Sequence, residues 1–599
     1  MSISFSLSNF KSFKKLDSIE LKPLTLLCGI NNSGKSSILQ SLLLMKQSNF
    51  ESSKLALEPY LQEPLVFNGL YASLGDWEDV IYRHSKEEEI GFSWKLSGQP
   101  VKNLLINPTS GRYSKEMMLY FYESMQEERL IEDIFIDYKD CNIDVKVKNC
   151  GIQNQDERII VSQFIFKNLE SNFSFELNNC TPGKYQLKLR KIYLKDLLFR
   201  WIYTKELYYY SIFPLDNERI NKFRETKTFK EKIIDEVVFE NVEVKFEGML
   251  PTLLKINNFA KESQKIIEII RQQLETNKKF SKYLKEFIKE ISERLDSYIK
   301  ASRKKTSSKK ANLREEFPVF SKEKVVSLTQ YFGYEITIKN LKELWSSFRY
   351  IGPLREAPKR FYLFDDPRGI DIGIKGENTA LVLALEQDNK IPQYHRCIYQ
   401  GKQVEKFELR ESDRMLEAVN WWLLECMKLP EIKSVVGLRG TINQVQLNSS
   451  GVEVSLPDVG FGVSQILPIL VECLRVKEGE TIILEQPEIH LHPSLQSKLA
   501  DFFICMAKSG KNLVIETHSE HLINRLCLRV AQAESTEIQS LLNPLFVSFD
   551  EAEQTSVIKK ITINEYGEIE NWPVGFFDED DSRELMEATL KKRMTQFKA

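Results

Sequence analysis

Gly29-Ile30-Asn31-Asn32-Ser33-Gly34-Lys35-Ser36-Ser37 fits the pattern G-x-x-x-x-G-K-[ST]. The apolar run Leu24-Thr-Leu-Leu-Cys28 before it predicts a buried strand, and Ser37–Met45 after it predicts a helix. A strand–loop–helix context is what gives this pattern a mechanism. Gly29 and Gly34 let the backbone curl so that its N–H groups point inward at phosphate oxygens. The helix starting near Lys35 adds roughly half a positive charge at its N-terminus. In that geometry Lys35 reaches the β- and γ-phosphates, and the Ser36 hydroxyl holds Mg²⁺. The competing reading is a Gly-rich turn without a ligand. Motifs further along the chain favour the phosphate.

At 599 residues the chain has room for roughly three to four domain-sized units. Apolar residues make up 42%, enough for a large core, and the net charge of −2 gives no overall argument for polyanion binding. Nine scattered cysteines, none in C-x-x-C spacing, suggest free thiols in a reducing cytosol. The start Met1-Ser-Ile-Ser-Phe-Ser-Leu lacks the basic opening and long apolar core of a secretory signal, and no uncharged run is long enough to span a bilayer. The expectation is a cytoplasmic protein that does not engage a membrane.

Outward from the loop, residues 1–95 read as the first lobe of an α/β head, with two strands closing on the phosphate loop. Residues 96–250 are mixed. Alternating runs such as Asn172-Phe-Ser-Phe-Glu-Leu177 and Tyr185-Gln-Leu-Lys-Leu-Arg190 predict strands of a half-exposed sheet. Residues 251–344 read as a helical, coiled-coil-like arm. Ile267, Ile270 and Leu274, then Leu284, Phe287, Ile288, Ile291, Leu295 and Ile299, recur at helical spacing. The basic segment Arg303–Lys310 follows, in a stretch whose net charge is roughly +8 over 255–316. It is either a DNA or RNA contact or a solvated basic loop. Residues 345–570 return to α/β alternation, and 571–599 form a tail. The head is thus split by a large insertion of α+β and helical character.

Four downstream segments follow in a telling order. Asp458-Val-Gly-Phe-Gly-Val-Ser-Gln-Ile-Leu-Pro468 places glycines and a hydroxyl at a helix start. Thr481-Ile-Ile-Leu-Glu485-Gln486-Pro487-Glu488 is a buried strand ending in carboxylates, at the sheet edge where open α/β folds bind ligands. Ile489-His490-Leu-His492-Pro493 comes next, and Leu513-Val-Ile-Glu-Thr517-His518-Ser519 is a second strand ending in a histidine.

Phosphate loop, glycine-rich signature, acidic strand end and histidine-bearing strand end, in this order, resemble the ABC-type ATPase heads of the SMC, RecF and overcoming-lysogenisation-defect (OLD) branch. Asn9-Phe-Lys-Ser-Phe13, Leu74-Gly-Asp-Trp-Glu-Asp-Val-Ile-Tyr82, Tyr350-Ile-Gly-Pro-Leu-Arg-Glu356, Glu485-Gln-Pro-Glu-Ile-His-Leu-His-Pro493, Glu516-Thr-His-Ser-Glu-His521 and Asn571-Trp-Pro-Val-Gly-Phe-Phe577 resemble a bacterial subgroup called AAA family ATPases. The resemblance covers roughly 1–95 and 345–580, not the insertion.

It implies heads that form a homodimer, or a higher homo-oligomer, around sandwiched ATP and Mg²⁺. Asn31, Asn32, Ser33 and Ser37 would join Gly29, Gly34, Lys35 and Ser36 in holding nucleotide. Gly460, Gly462, Ser464 and Gln465 would form the signature that covers the γ-phosphate of the partner head. Glu485 would share the metal with Ser36, His492 would lie with His490 in the loop linking the two sites, and His518 would sense the γ-phosphate. Lys11 follows the first strand, where family members contact nucleotide. Relatives of this kind, the PtuA-like subunits of Septu and retron-associated systems, pair with a separate effector such as an HNH nuclease in anti-phage defence.

The catalytic base departs from the family pattern, which ends the strand in Asp then Glu. Here Glu485 is followed by Gln486, and an amide cannot accept the proton of the attacking water. Either hydrolysis is slow, or Glu488 or Glu485 supplies the carboxylate from a shifted position. Competing readings are a RecF-like DNA-repair or DNA-organising head, an OLD-type nuclease using Asp578–Asp581, and a zinc site among His490, His492, His518 and His521.

Overall fold

The computed structural model describes residues 2–54, 63–98, 140–193, 233–275, 323–363 and 371–573, short gaps inside those spans aside, together with Lys289, Ser292, Glu293 and Asp296. The basic segment 303–310, the acidic tail 578–581 and Gly460 lie outside the described residues. The chain forms two compact units, one of residues 2–50, 66–88 and 341–599, the other chiefly of 89–340 with 51–65.

The first unit carries the phosphate loop. Its centre is a six-stranded sheet in the order Arg349–Ile351, Thr481–Glu485, Asn512–Glu516, Leu24–Cys28, Leu542–Asp550, Thr555–Lys560. All neighbours are parallel except the last pair. Parallel strands are covered by helices on both faces, so they read as continuous apolar runs. Leu24–Cys28 is buried at every position, which explains why its sequence does not alternate. The helices Phe461–Arg475, Pro493–Lys508 and Glu520–Gln532 belong to this unit, as does the helix Lys35–Lys54 up to residue 50. Pro493–Lys508 is buried along Leu499–Ala507, with Trp422 edge-on to Phe502 at 4.8 Å. Each such large apolar side chain contributes roughly 1.5–3 kcal/mol on burial.

Helix ends in this unit are closed by side chains. Ser519 accepts from the Leu522 amide at 3.1 Å, capping Glu520–Gln532. The buried Lys511 ammonium donates to the Cys473 and Leu474 carbonyls at 2.7 and 3.2 Å, where Phe461–Arg475 ends. A cation there meets both the orphan carbonyls and the negative end of the helix dipole. Burial nevertheless pushes Lys511 down to about 8.

The second unit is an antiparallel meander. Its strands run in the order Glu323–Ser327, Leu250–Asn257, Ile233–Glu247, Lys184–Tyr193, Ser174–Thr181, Ile159–Asn168, Cys141–Asn149, Ile90–Ser97. Burial alternates along Cys141–Val147, as a sheet with one covered face requires. Tyr334, from the helix Phe332–Ser347, covers that face. It stands edge-on to Phe164, Phe166 and Phe175 and donates its hydroxyl to the Pro251 carbonyl at 2.6 Å. The strands expected around 172–177 and 185–190 are present here. The helix expected near 267–274 is present as Phe259–Glu275.

Candidate nucleotide site

The phosphate loop leaves the sheet at Gly29, whose φ of 140° is closed to a side chain for a second reason as well. A Cβ there would lie 2.1 Å from the Val547 carbonyl oxygen. Gly34, at φ 101°, would put a Cβ 2.5 Å from Ser12 Oγ and 2.6 Å from Ser556 Oγ. Both positions need glycine. Asn32 takes a left-handed φ of 59°, and Asn31 and Asn32 are exposed. The Ser33 hydroxyl is buried with no hydrogen-bond partner.

Lys35 opens the helix and is 3% exposed. It donates to the Gly29 and Ile30 carbonyls at 3.1 and 2.6 Å, so it lies back across the loop. Burial lowers its pKa, and Glu516 opposes that shift. Ser36 is exposed, and its hydroxyl donates to both carboxylate oxygens of Glu516, at 3.1 and 3.0 Å. Ser37 is half-buried, its amide held by the Gly34 carbonyl at 3.1 Å.

The acidic edge faces this loop. Glu485 and Glu516 are paired rungs of two parallel strands, and Glu516 pairs on its other side with Leu27. Burial, then the neighbouring Glu516, raises Glu485 to about 7, while the Tyr350 hydroxyl that donates to it and Arg355 work the other way. The Tyr350 phenol is itself pushed well up by burial and Glu485. Burial also raises Glu516 and Glu488. Gln486 turns the chain with a left-handed φ of 44°, which costs a non-glycine residue about 1–2 kcal/mol.

Arg355 braces that turn. Its guanidinium donates to the Gln486 carbonyl at 3.0 Å and the Glu485 carbonyl at 3.2 Å, with its Nε left without a partner. Burial lowers Arg355 to about 10, against the pull of Glu488 and Glu485.

Glu488 is buried and accepts from the His518 amide at 2.7 Å, tying the two strand ends together. His518 is half-buried, and burial, then Lys35, lowers its ring pKa. His490 has a left-handed φ of 61° and is exposed. His492 is also exposed and caps Pro493–Lys508, its Nδ1 accepting from the Ser494 amide at 3.2 Å. No group of three or more His, Cys, Asp or Glu among the described residues could hold a metal ion, so the four histidines form no zinc site there.

The structure therefore gathers Gly29–Ser37, Glu485, Gln486, Glu488 and His518 at one edge of the sheet. The signature residues are carried by a different element. Gly462, Ser464 and Gln465 lie in the first turns of Phe461–Arg475, and Ser464 and Gln465 are only 6% and 4% exposed. Lys11 takes a left-handed φ of 49° and is anchored through its amide to the Val80 carbonyl at 2.7 Å. Burial lowers its pKa against the pull of Asp79. Sequence reasoning gave no role to Glu516, Tyr350 or Arg355. The available signal was that two neighbouring inner strands both end in glutamate, at Glu485 and Glu516.

A triphosphate with Mg²⁺ fits this donor set. The loop has two positions shaped for glycine, a buried hydroxyl without a partner, a lysine and a carboxylate-bound serine. No helix among the described residues is long and apolar enough to cross a membrane.

A family model described as "AAA ATPase domain" matches residues 1–523. A second, "Protein of unknown function (DUF3696)", matches residues 545–587. No curated protein matches the chain. Solved structures of SMC heads are similar. The Smc head domain of Pyrococcus furiosus, with an extended coiled coil and bound to the C-terminal domain of ScpA, has 12% identity and a TM-score of 0.30, covering 94% of this chain and 97% of that one. The SMC head domain from Thermotoga maritima has 9% identity and a TM-score of 0.31, covering 94% and 98%. With the domain match spanning most of its length and the phosphate loop at the heart of its parallel sheet, the chain belongs to the AAA ATPase domain family.

Proposed function

We propose that this ATPase is a regulatory, ATP-binding subunit whose heads pair around nucleotide, turn it over slowly and control a separate effector. The observation that carries the slow turnover is Gln486 at the end of the acidic strand. Its backbone is held in a left-handed turn by Arg355, and its amide has no capacity to take a proton. A positioned base is typically worth about 10²–10⁴ in rate.

In this reading the loop amides and Lys35 bind the phosphates. Lys35 exchanges the Gly29 and Ile30 carbonyls for phosphate oxygens. Mg²⁺, when bound, neutralises charge on the β- and γ-phosphate oxygens. Ser36 and Glu485 would hold it, and His518 would contact the γ-phosphate. Closing a second head over the nucleotide then makes ATP a latch. Resemblance to the PtuA-like subunits supports a nuclease as the effector and anti-phage defence as the setting.

Calorimetry on the pure chain tests the binding. The wild type should take up ATP, and Lys35→Ala should lose about 100-fold or more in affinity, since a buried charge-assisted phosphate contact goes with it. Turnover should be well below about 10 per second, and Gln486→Glu should raise it by about 10²-fold or more. Fast turnover that Gln486→Ala leaves unchanged would remove the latch. Co-purification from the native operon tests the effector, which should be held in an ATP-dependent complex.

A further inference from the structure

The edge of the sheet holds one more carboxylate than the assigned roles use. Glu516 is 3% exposed, and its two oxygens accept from one donor, the Ser36 hydroxyl. In the sheet it stands between the loop strand and the acidic strand, with Leu27 as its rung partner on one side and Glu485 on the other. Rung partners in a parallel ladder project to the same face, so Glu516 and Glu485 share one side of the sheet. Lys35 stabilises its negative charge, while Glu488 opposes it. A carboxylate this deep, satisfied by one neutral hydroxyl, leaves acceptor capacity unused.

We propose that Glu516 is the positioning residue for the divalent cation: it holds the Ser36 hydroxyl in place from behind and thereby sets the metal geometry that Glu485 alone does not. The proposal rests on the reading that this head binds ATP with Mg²⁺. It assigns Glu516 by contact, since the observed serine–carboxylate bond joins Ser36 to Glu516 and not to the carboxylate at the expected metal position. With Ser36 so held, Glu485 keeps its bond from Tyr350. The two carboxylates then divide the work, with Glu516 orienting the hydroxyl and Glu485 facing the ion. Mg²⁺ demands near-octahedral geometry and is usually bound through one or two carboxylates plus phosphates, so one direct carboxylate, Glu485, beside an oriented hydroxyl meets its needs. Residues that orient a metal ligand without touching the ion typically matter about 10- to 100-fold in metal affinity.

The test uses the full chain, a non-hydrolysable ATP analogue and Mn²⁺ as the probe, with free Mn²⁺ read by electron paramagnetic resonance. Analogue binding in EDTA is measured alongside by calorimetry. Glu516→Gln should keep metal-free analogue affinity within about twofold and weaken Mn²⁺ by about 10- to 100-fold. Ser36→Ala should give a similar loss, and the double variant should be no worse than the single ones, because both remove one device. Glu516→Asp keeps the charge and stands in should the amide variant not fold; shortened by a methylene, it should weaken Mn²⁺ by less than Ser36→Ala does. Mn²⁺ affinity unchanged in a folded Glu516 variant, or losses that multiply in the double variant, would overturn the assignment while leaving nucleotide binding standing. A wild type that binds no analogue with or without metal would remove both.

Discussion

Two buried groups of charges in the same unit are built on opposite plans. Around Asp501 every acceptor is used. Arg525 and Arg529, one turn apart on Glu520–Gln532, both reach it, at 2.8 and 2.6 Å at their closest, and the Tyr399 hydroxyl donates to it at 2.8 Å. The carboxyl is held below its ordinary value despite complete burial, because those donors outweigh the desolvation. At the loop edge the carboxyls of Glu485, Glu488 and Glu516 are all raised, Arg355 Nε and Ser33 Oγ lack partners, and Gln486 and His490 sit in left-handed backbone. A satisfied cluster holds a fold together. One left short of partners in a strained edge is where a ligand is expected to complete the set.

The largest expected effect that would break this contrast lies in the satisfied cluster. Asp501→Ala leaves two arginines buried without their counter-ion, and should cost about 3–5 kcal/mol in denaturant unfolding. A loss below about 1 kcal/mol would show that the cluster is not a structural centre. The contrast sharpens in pH. Glu485 is raised to about 7, so the stability it contributes is complete below its ordinary carboxylate value and is lost as pH rises through 7. Glu485→Gln should therefore raise the nucleotide-free melting temperature at pH 8 and barely move it at pH 5. The difference should be on the order of 2–3 kcal/mol. Asp501, lowered, has the opposite sign: its contribution is present above its ordinary value and lost as pH falls. The smallest effect separates scaffold from ligand site within one motif. His492→Ala removes a helix cap and should cost about 1 kcal/mol while leaving ATP affinity unchanged. A tenfold loss of affinity would place His492 at the nucleotide site as well.

Much of the loop edge was legible because it is written in local signals. Glycines at 29 and 34, a lysine and a following hydroxyl fix a curled loop before any neighbour is known. The strand endings at Glu485 and Glu516, with His518 two residues beyond the second, follow from apolar runs that stop abruptly. What was not legible depends on pairing across distant segments. Glu516 stood in a motif read for its histidine, and only the register with Glu485 shows what it does. Arg355 stood in a stretch read only for its resemblance to the family, and its role exists only where the chain turns at Gln486. Ser464 and Gln465 are nearly buried in the first turns of an apolar helix, and that burial is set by packing rather than by local pattern. His492 could have been anticipated as a cap, since Pro493 follows it at the first helical position.

The sheet order also bears on how the chain is made. Leu24–Cys28 sits between Asn512–Glu516 and Leu542–Asp550, partners that lie some five hundred residues further along. At ribosomal speeds of about 5–20 residues per second, this wholly buried strand waits roughly half a minute to two minutes for its neighbours. During that interval the cell must keep a naked Leu-Thr-Leu-Leu segment from finding other company. The nascent chain is thus a natural client for chaperones over that interval, and the phosphate loop gains its supporting sheet only once both distant strands have been made.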